Sequence, residues 1–580
     1  MNTVLASLNA KYIHTNLAIR YLKAAAAEYQ IELAEYTIND PILNITGDLY
    51  AKKPDVIGFS CYIWNIEETI QVAKMLKKIL PEIKIIFGGP EVTYDVPYWL
   101  KRLEHDADYI VVGEGEASFK ELLDYLSGKI NYDQVRGVAS LIDGRMHLTP
   151  QPQKTDLKTL PSPFRFAEDQ ADLRKRITYV ETSRGCPFQC QFCLSSIEVG
   201  VRYFEREAVK EDIRYLMKHG ARIIKFVDRT FNISRSYAME MFEFLIDEHL
   251  PGTVFQFEIT GDIMRPEVIQ YLNDHAPEGL FRFEIGVQST NDHTNELVKR
   301  KQNFEKLKRT VTMVKDGGKI DQHLDLIAGL PEENYQSFKQ TFNDVYELGP
   351  EELQLGFLKM LRGTGLRINA ADHQYVYMDH APYEILSNNQ LTFDDILRIK
   401  HVEDVLEKYW NDHRLDDTIH YLTTEVFETP FDFFQDFGTY WDQKGWSRIG
   451  HQLEDLFKRL YQFIEESKHE TLPYTTYLMK KDYLQKHKFK PRKPWWDKED
   501  INFSNLYDLL LSNPEIAGEH FASLNLKQKE LHKHTVLVEG LKSIEGKPVQ
   551  VYLLAYYDPK TGSPSLFEFT KEQTATSTTF

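Results

Sequence analysis

Cysteine is nearly absent from this sequence, with four among 580 residues. So few cannot staple a chain of this size, which excludes the disulfide-framed secreted scaffolds. The opening stretch "MNTVLASLNAKYIH" lacks the charged start, apolar core and cleavage site of a secretory signal. No apolar run approaches the ~20 residues of a membrane span, and neither a fixed-period repeat nor a low-complexity tract is visible. Basic residues are in deficit, 69 against 87 acidic ones, for a formal charge of −18. A general nucleic-acid surface needs clustered cations to displace counterions and is excluded on that ground. What remains is an acidic, soluble, globular protein of the reducing cytoplasm, with neither membrane nor nucleic acid expected as partner and enough chain for roughly three or four domains.

Short β-like runs alternate with amphipathic helices over residues 1–130. "NTVLASL", "IELAEYTI", "DVIGFSCY", "KIIFGGPEV" and "DYIVVGEGE" are each followed by a helical pattern. Apolar strands alternating with helices predict a parallel sheet covered on both faces, a doubly wound domain whose ligand lies outside the carboxyl ends of the strands. Residues 131–169 read as a hairpin and an extended, Pro-containing linker. Alternation resumes over 170–380 with "ITYVETS", "RIIKFVD", "TVFQFEIT", "LFRFEIGVQ", "DQHLDLIAG" and "ELQLGFLKM". Six β/α units in tandem predict a partial (β/α)6 barrel, with function in the loops at the strands' carboxyl ends. Residues 381–580 are mainly helical, with two strands, "TVLVEGL" and "PVQVYLLAYY", near the end. The basic, aromatic "KHKFKPRKPWW" in this part is either a binder of anionic or planar groups or a solvated loop anchored by Trp495 and Trp496.

Three of the four cysteines crowd into "RGCPFQCQFC": Cys186, Cys190 and Cys193, spaced C-x3-C-x2-C after the first barrel strand. The fourth, Cys61, is far away and reads as a strand-end thiol. In a reducing compartment such a cluster is metal-binding or catalytic. Thiolates are soft ligands for zinc, copper(I) or iron–sulfur clusters, and structural zinc would want a fourth Cys or His. A 4Fe–4S cluster on three protein thiolates leaves one iron open. This motif, with the aromatic Phe192 before the last cysteine, resembles the radical S-adenosylmethionine (SAM) superfamily.

The resemblance, carried by about residues 170–370, implies that the open iron chelates SAM and that the reduced cluster cleaves it to a 5′-deoxyadenosyl radical. It also implies an electron donor such as flavodoxin or ferredoxin. "FVDRTF" makes Asp228 the candidate beside the methionine amine, and "FEIGVQS" makes Glu284 and Gln288 candidates for SAM ribose or carboxylate contacts. "DLIAGLPEE" is similar to the family's G-x-I-x-G-x-x-E stretch beside adenine, with Ile327, Gly329 and Glu332 matching and Asp325 in place of the first glycine. "MLRGTGL" is similar to P-G-T-x-L, with Arg362 in place of the proline.

A doubly wound domain ahead of such a barrel resembles the cobalamin-dependent radical SAM class. The loops carrying Ser60, Gly88, Gly89, Gly113, Glu114 and Gly115 are the candidate cobalamin contacts. Glycine-rich strand ends would equally suit a flavin or nucleotide, but the G-x-G-x-x-G fingerprint is missing after the first strand. His-on cobalamin domains carry D-x-H-x-x-G at that place, and here "YIHTNL" keeps His14 but has Tyr12 and Leu17 for the Asp and Gly. His14 is therefore a cobalt ligand or a loop histidine beside the corrin, and without the orienting carboxylate a base-off cobalamin is predicted. The function this implies is a cobalamin-dependent radical SAM enzyme transferring a methyl group to an unactivated carbon of a small molecule. Ring formation or rearrangement, and a non-catalytic iron–sulfur protein for electron transfer or sensing, are the alternatives. The amino-terminal cysteine trio and nucleic-acid module of a tRNA methylthiotransferase are not seen.

Overall fold

The computed structural model describes residues 1–497, 533–544, 547–558, 562 and 564–570. The chain forms two compact units, Met1–Ile396 and Leu397–Phe580.

Two parallel sheets build the first unit. Thr3–Asn9 (β1), Ile31–Thr37 (β2), Val56–Ser60 (β3), Lys84–Gly88 (β4) and Tyr109–Val111 (β5) lie in the order β2-β1-β3-β4-β5. The order reverses between β1 and β3, the switch point at which an open α/β sheet binds its ligand. Both faces of this sheet are dry. Val4, Ala6, Leu8 and Ile57 pack with Ile45, Ile70 and Trp99 on one side, and Leu5, Ile86 and Val111 pack with Ile19, Phe119 and Leu122 on the other. Burial on both faces is why these strands read as unbroken apolar runs. The hairpin Val138–Ile142 (β6) and Arg145–Leu148 (β7) is not a free connector: β6 pairs antiparallel with β5 and extends the same sheet to seven strands.

The second sheet starts with Ile177–Val180 (β8), followed by a small antiparallel pair, Ser183–Arg184 (β9) and Arg202–Tyr203 (β10). It continues with Ile223–Phe226 (β11), Val254–Ile259 (β12), Phe281–Gln288 (β13), Asp321–Ala328 (β14) and Glu352–Phe357 (β15). β8 and β11 to β15 are parallel and adjacent in chain order, so the predicted (β/α)6 partial barrel is present. β12, β13 and β14 alternate strictly between buried and half-buried residues. The outer face is apolar and largely aromatic: Phe226 stacks on Phe257 at 4.5 Å, and Phe242 of the helix Arg235–Glu248 meets Phe257 edge-on at 5.3 Å. The inner face carries Lys225, Glu258, Glu284, His323 and Asp325. A ribbon of Val376–Tyr377 (β16) and Ile385–Ser387 (β17) closes over the end of β14.

In the second unit, helices Pro430–Gln443, Leu453–Ser467 and Leu472–Lys486 precede an antiparallel sheet of Thr535–Ile544 (β18), Lys547–Tyr557 (β19) and Pro564–Thr570 (β20). Tyr477, Leu478 and Leu484 pack on Val538, Val551 and Leu553. The two predicted strands are β18 and β19, and β20 adds a third. Residues 498–532 of the expected helical region lie outside the described residues. Trp495 is buried with its ring stacked 5.9 Å from Phe457, and Trp496 meets Tyr483 edge-on at 5.3 Å, so "KHKFKPRKPWW" is a loop anchored by its tryptophans.

Candidate cofactor site

The cysteine loop is held at both ends and in the middle. Asp228, at the end of β11, is buried and accepts hydrogen bonds from Thr182 N (3.1 Å), Thr182 Oγ1 (2.7 Å) and Ser183 Oγ (2.5 Å). It thereby fixes the two residues that lead from β8 into β9. Gly200 N donates to Cys186 O at 3.1 Å, Gln191 N to Val298 O at 2.8 Å and Leu366 N to Gln191 O at 3.0 Å. Gly185 has φ +96 and lies against the Gly200 carbonyl, a conformation and a closeness that only glycine accommodates.

Cys190 is buried, and Cys186 and Cys193 are half-buried. Burial pushes the Cys186 and Cys190 thiols up, and the nearby Cys193 thiol adds to both shifts. Arg229 beside Cys186 and Arg300 beside Cys190 act the other way. Among the described residues no three Cys, His, Asp or Glu side chains converge as the ligands of one metal ion do. An iron–sulfur cluster instead takes its thiolates at separate irons. Three soft donors on one anchored loop, with two guanidinium groups beside them to favour the thiolate form, fit that group.

The residues expected to hold SAM separate into two sets. Phe192 lies in the cysteine loop, and Gln288 lies at the carboxyl end of β13 with φ +69 and its Oε1 buried without a partner. An orphaned acceptor there suits a donor of the cosubstrate. Ile327 lies on the half-buried inner face of β14. Gly329 has φ +95, and any Cβ would enter Ile385 of β17; its carbonyl accepts from Tyr375 OH at 2.9 Å. Glu332 accepts from Asn389 Nδ2 (3.2 Å) and Gln390 Nε2 (2.8 Å). Two expectations change. The Asp228 carboxylate is consumed by Thr182 and Ser183, because a buried carboxylate needs donors and these are adjacent. Glu284 is not at a strand end: it lies mid-strand opposite Glu258 and His323, and both its oxygens meet Lys225 Nζ, at 2.6 and 2.7 Å.

The cobalamin candidates also divide. Ser60, buried at the end of β3, accepts from Asn16 Nδ2 at 3.3 Å. A Cβ on Gly88 would meet only Val111, its Cβ at 3.6 Å and its O at 3.9 Å, and one on Gly113, which has φ +84, only Gln151 Oε1, at 3.7 Å. These two positions leave room outside the strand ends, a cradle that fits a large planar cofactor. Gly89 answers an internal need: with φ +110, its Cβ would lie 2.6 Å from Cys61 O. Gly115 packs against Leu22. Glu114 is taken up in an ion pair with Arg202 and accepts from Thr155 N at 3.0 Å. Tyr62 and Trp64, stacked at 4.4 Å just after β3, were not singled out by the sequence, and Trp64 is 45% exposed.

Polar ties join the two sheets of this unit. Arg184, two residues before the first cysteine, pairs with Glu181 (3.0 Å), Glu116 (2.6 Å) and Glu114 (3.8 Å). Arg362, the residue in place of the expected proline, pairs with Asp95 at 2.6 Å and lies 3.4 Å over the Tyr98 ring. The His14 loop runs beside β8, with Ile177 N donating to Ile13 O at 2.8 Å. The His14 Nδ1 is 2.7 Å from Tyr179 OH, and burial lowers the imidazole's pKa. The partner that the local sequence lacks at Tyr12 is thus supplied by the barrel as a phenol. Neither Arg184 nor Arg300 was foreseen; the cationic run Lys299–Lys301 before the helix Phe304–Gly317 was the available signal for the latter.

Residues 4–123 match the family model for the B12 binding domain, 180–345 that of the radical SAM superfamily, and 371–545 a protein family of unknown function, DUF4080. The chain is 28% identical over 351 residues to 2-(S-pantetheinyl)-carbapenam-3-carboxylate methyltransferase of Streptantibioticus cattleyicolor, covering 55% of this chain and 49% of that one. It is 27% identical to the anaerobic magnesium-protoporphyrin IX monomethyl ester cyclase of Rubrivivax gelatinosus, covering 52% and 55%. The chain therefore spans about half the length of these curated relatives. Among solved structures, the cobalamin-dependent SAM radical enzyme OxsB shares the fold, with a TM-score of 0.58 at 14% identity over 83% of this chain and 79% of that one.

Proposed function

We propose that this chain, whose residues 4–123 match the B12 binding domain and 180–345 the radical SAM superfamily, is an enzyme that transfers a methyl group to an unactivated carbon of a small molecule. Its cofactors are a 4Fe–4S cluster, SAM and cobalamin. When bound, the cluster on Cys186, Cys190 and Cys193 would supply the electron for reductive cleavage of SAM, and the cobalamin would supply the methyl group.

The observation that carries the reading is the anchored loop of Cys186, Cys190 and Cys193 directly tied, through Arg184, to Glu114 and Glu116 beside the glycine cradle. The thiols hold the cluster, Phe192 and Gln288 line the SAM position, and the loops at Ser60, Gly88 and Gly113 receive the corrinoid. Asp228 and Gly89 keep the two loops in shape. A one-electron donor of the flavodoxin or ferredoxin kind reduces the cluster from outside. His14 stays off the cobalt, because its loop is paired along β8 and its ring faces Tyr179.

Ring closure is the second reading, favoured by the likeness to a cyclase over 52% of the chain. Anaerobic reconstitution with SAM and cobalamin, followed by mass spectrometry of a treated cell extract, separates them. A product heavier by one methyl group supports transfer; deoxyadenosine release with a product lighter by two hydrogens would replace it with ring closure. In the cobalt(II) enzyme, paramagnetic resonance should lack nitrogen superhyperfine splitting. Splitting that vanishes in His14→Ala would show a histidine-ligated cobalt.

A further inference from the structure

We infer that Arg362 is a positioning residue for the proposed reaction: it holds the segment Gly88–Asp95, one wall of the glycine cradle, in register with the cysteine loop. The inference rests on the proposed function in taking these two loops as the seats of two cofactors that act on one substrate.

The segment runs from the end of β4 through Gly89 and the short helix Pro90–Thr93 to Asp95, where the helix Val96–Arg102 begins. Its own bonds make it one piece with the rest of the cradle. Glu91 N donates to Cys61 O at 3.3 Å. Thr93 Oγ1 donates to Gly89 O at 2.9 Å and accepts from Gly113 N at 3.2 Å. Asp95 has φ +64, a left-handed conformation that Asp and Asn tolerate better than other side chains. Any displacement of the segment therefore moves the loops at Gly88 and Gly113 together.

The barrel grips this segment at both ends. Tyr383 OH, fully buried, donates to Glu91 Oε1 at 2.7 Å, and Arg362 Nη1 donates to Asp95 Oδ2 at 2.6 Å. Arg362 Nε also donates to Tyr383 OH, at 3.3 Å, so one guanidinium serves both grips. Its Cζ lies 3.4 Å from the centre of the Tyr98 ring. A planar fork that stacks and donates at once is a role that lysine does not fill. The neighbouring charges have partners of their own. Glu67 pairs with Arg102 at 2.5 Å, and Arg367 lies 4.6 Å from the Tyr383 ring centre and donates to Met360 O at 2.5 Å. Burial pushes the Glu91 carboxyl up to about 7, against the Tyr383 hydrogen bond and the nearby Arg362 and Arg367, with Glu67 adding to the rise. Among the described residues, Arg362–Asp95 is the one ion pair between this segment and the barrel.

The barrel loop that carries Arg362 also meets the cysteine loop. Leu366 N donates to Gln191 O at 3.0 Å. A Cβ on Gly363, at φ +86, would strike Tyr94 Cβ at 2.9 Å and Ile197 Cδ1 at 3.2 Å, and one on Gly365 would enter the Gln191 amide. Residues 362–366 are thus a wedge with the cradle wall on one side and the cysteine loop on the other. A proline at 362, as in the family pattern, carries no donor, so this tie is a departure of this chain. Reacting groups held on two separate loops must meet within contact distance, and a misplacement of about 1 Å can cost about a hundredfold in rate.

The spacing can be read without turnover. In holoenzyme carrying a reduced cluster and cobalt(II) cobalamin, the two electron spins split each other's paramagnetic resonance according to their separation. The wild-type protein should show one sharp interaction. In Arg362→Gln it should be smeared over a range, with iron and corrinoid contents retained. Asp95→Asn removes the partner charge at a side chain that is 43% exposed and keeps a residue suited to the left-handed backbone. It should smear the interaction to a smaller degree, and it decides alone should Arg362→Gln fail to load. Arg362→Lys, which keeps the charge without the planar fork, should recover part of the sharpness. An interaction as sharp in Asp95→Asn as in the wild type, or no sharper in Arg362→Lys than in Arg362→Gln, overturns the proposal. The reaction is scored separately in the extract assay, where methylated product per deoxyadenosine released should fall roughly ten- to a hundredfold in Arg362→Gln. Smearing in the variants with no methylated product from the wild type discards the reaction alone. Unchanged sharpness with normal methylation discards the positioning role alone, and a wild-type protein that takes up no corrinoid overturns both.

Discussion

The two parallel sheets of the first unit use the same element order, strand then helix, to opposite ends. The doubly wound sheet buries both faces in apolar side chains, so nothing can bind on it and its ligand site is confined to the carboxyl edge. The barrel sheet buries only its outer, aromatic face and lines the inner one with Lys225, Glu258, Glu284, His323 and Asp325. Its site has depth as well as an edge. A sheet with two dry faces is a platform; a sheet with one wet face is a vessel.

The sharpest way to break this comparison is at the cysteine loop, the edge feature of the vessel. Replacing Cys186, Cys190 and Cys193 together by Ala should abolish the brown chromophore and bound iron while corrinoid binding by the platform persists. Iron and sulfide retained in that variant would mean that the thiols are not the ligands. Next in size is Gly88→Trp, which fills the cradle beside Val111. Corrinoid uptake, followed by its visible spectrum, should be lost with full iron loading, and unimpaired uptake would move the cofactor elsewhere.

A third test concerns the wall behind the vessel. Glu333 is fully buried, accepts from Ser289 Oγ at 2.5 Å and Thr341 Oγ1 at 2.8 Å, and burial raises its carboxyl to about 7. Its raised folded pKa means that stabilisation is complete below the unfolded value near 4.5 and is lost as pH rises through 7. The wild-type protein should lose about 2–3 kcal/mol more than Glu333→Gln between pH 4.5 and 7.5. Denaturant midpoints that move in parallel would refute this. The smallest effect is expected at Cys61, buried in the platform with its Sγ 3.5 Å from Phe59 O and its thiol pushed well up by burial. Cys61→Ser should keep its full iron content, and loss of iron would reveal a fourth ligand.

Much of the architecture was legible because both sheets write themselves into local pattern. Unbroken apolar runs marked the first, alternation marked the second, and the cysteine spacing marked the loop. What was not legible is who partners whom. Asp228 and Glu114 looked like ligand contacts because they end strands, yet the donors that claim them, Thr182 and Ser183 for one and Arg202 for the other, lie 46, 45 and 88 residues away along the chain. Glu284 was placed at a strand end because the strand's length could not be read. The edge hairpin was legible as a hairpin, but its antiparallel pairing with β5 was not, because that pairing leaves no mark in its own residues. The glycines at 88 and 89 are alike in sequence, and only the backbone of Cys61 tells them apart.

The hydrogen bond from Ile177 to Ile13 has a bearing on how the protein must be supplied. The loop that follows β1 continues the first barrel strand as if it were a neighbouring strand, and Thr15 Oγ1 adds a second bond to Ile177 O at 2.8 Å. A corrinoid held at that loop, as proposed above, would share a frame with the barrel. If the proposed methyl transfer holds, a corrinoid fixed in this frame would have to be recharged where it sits.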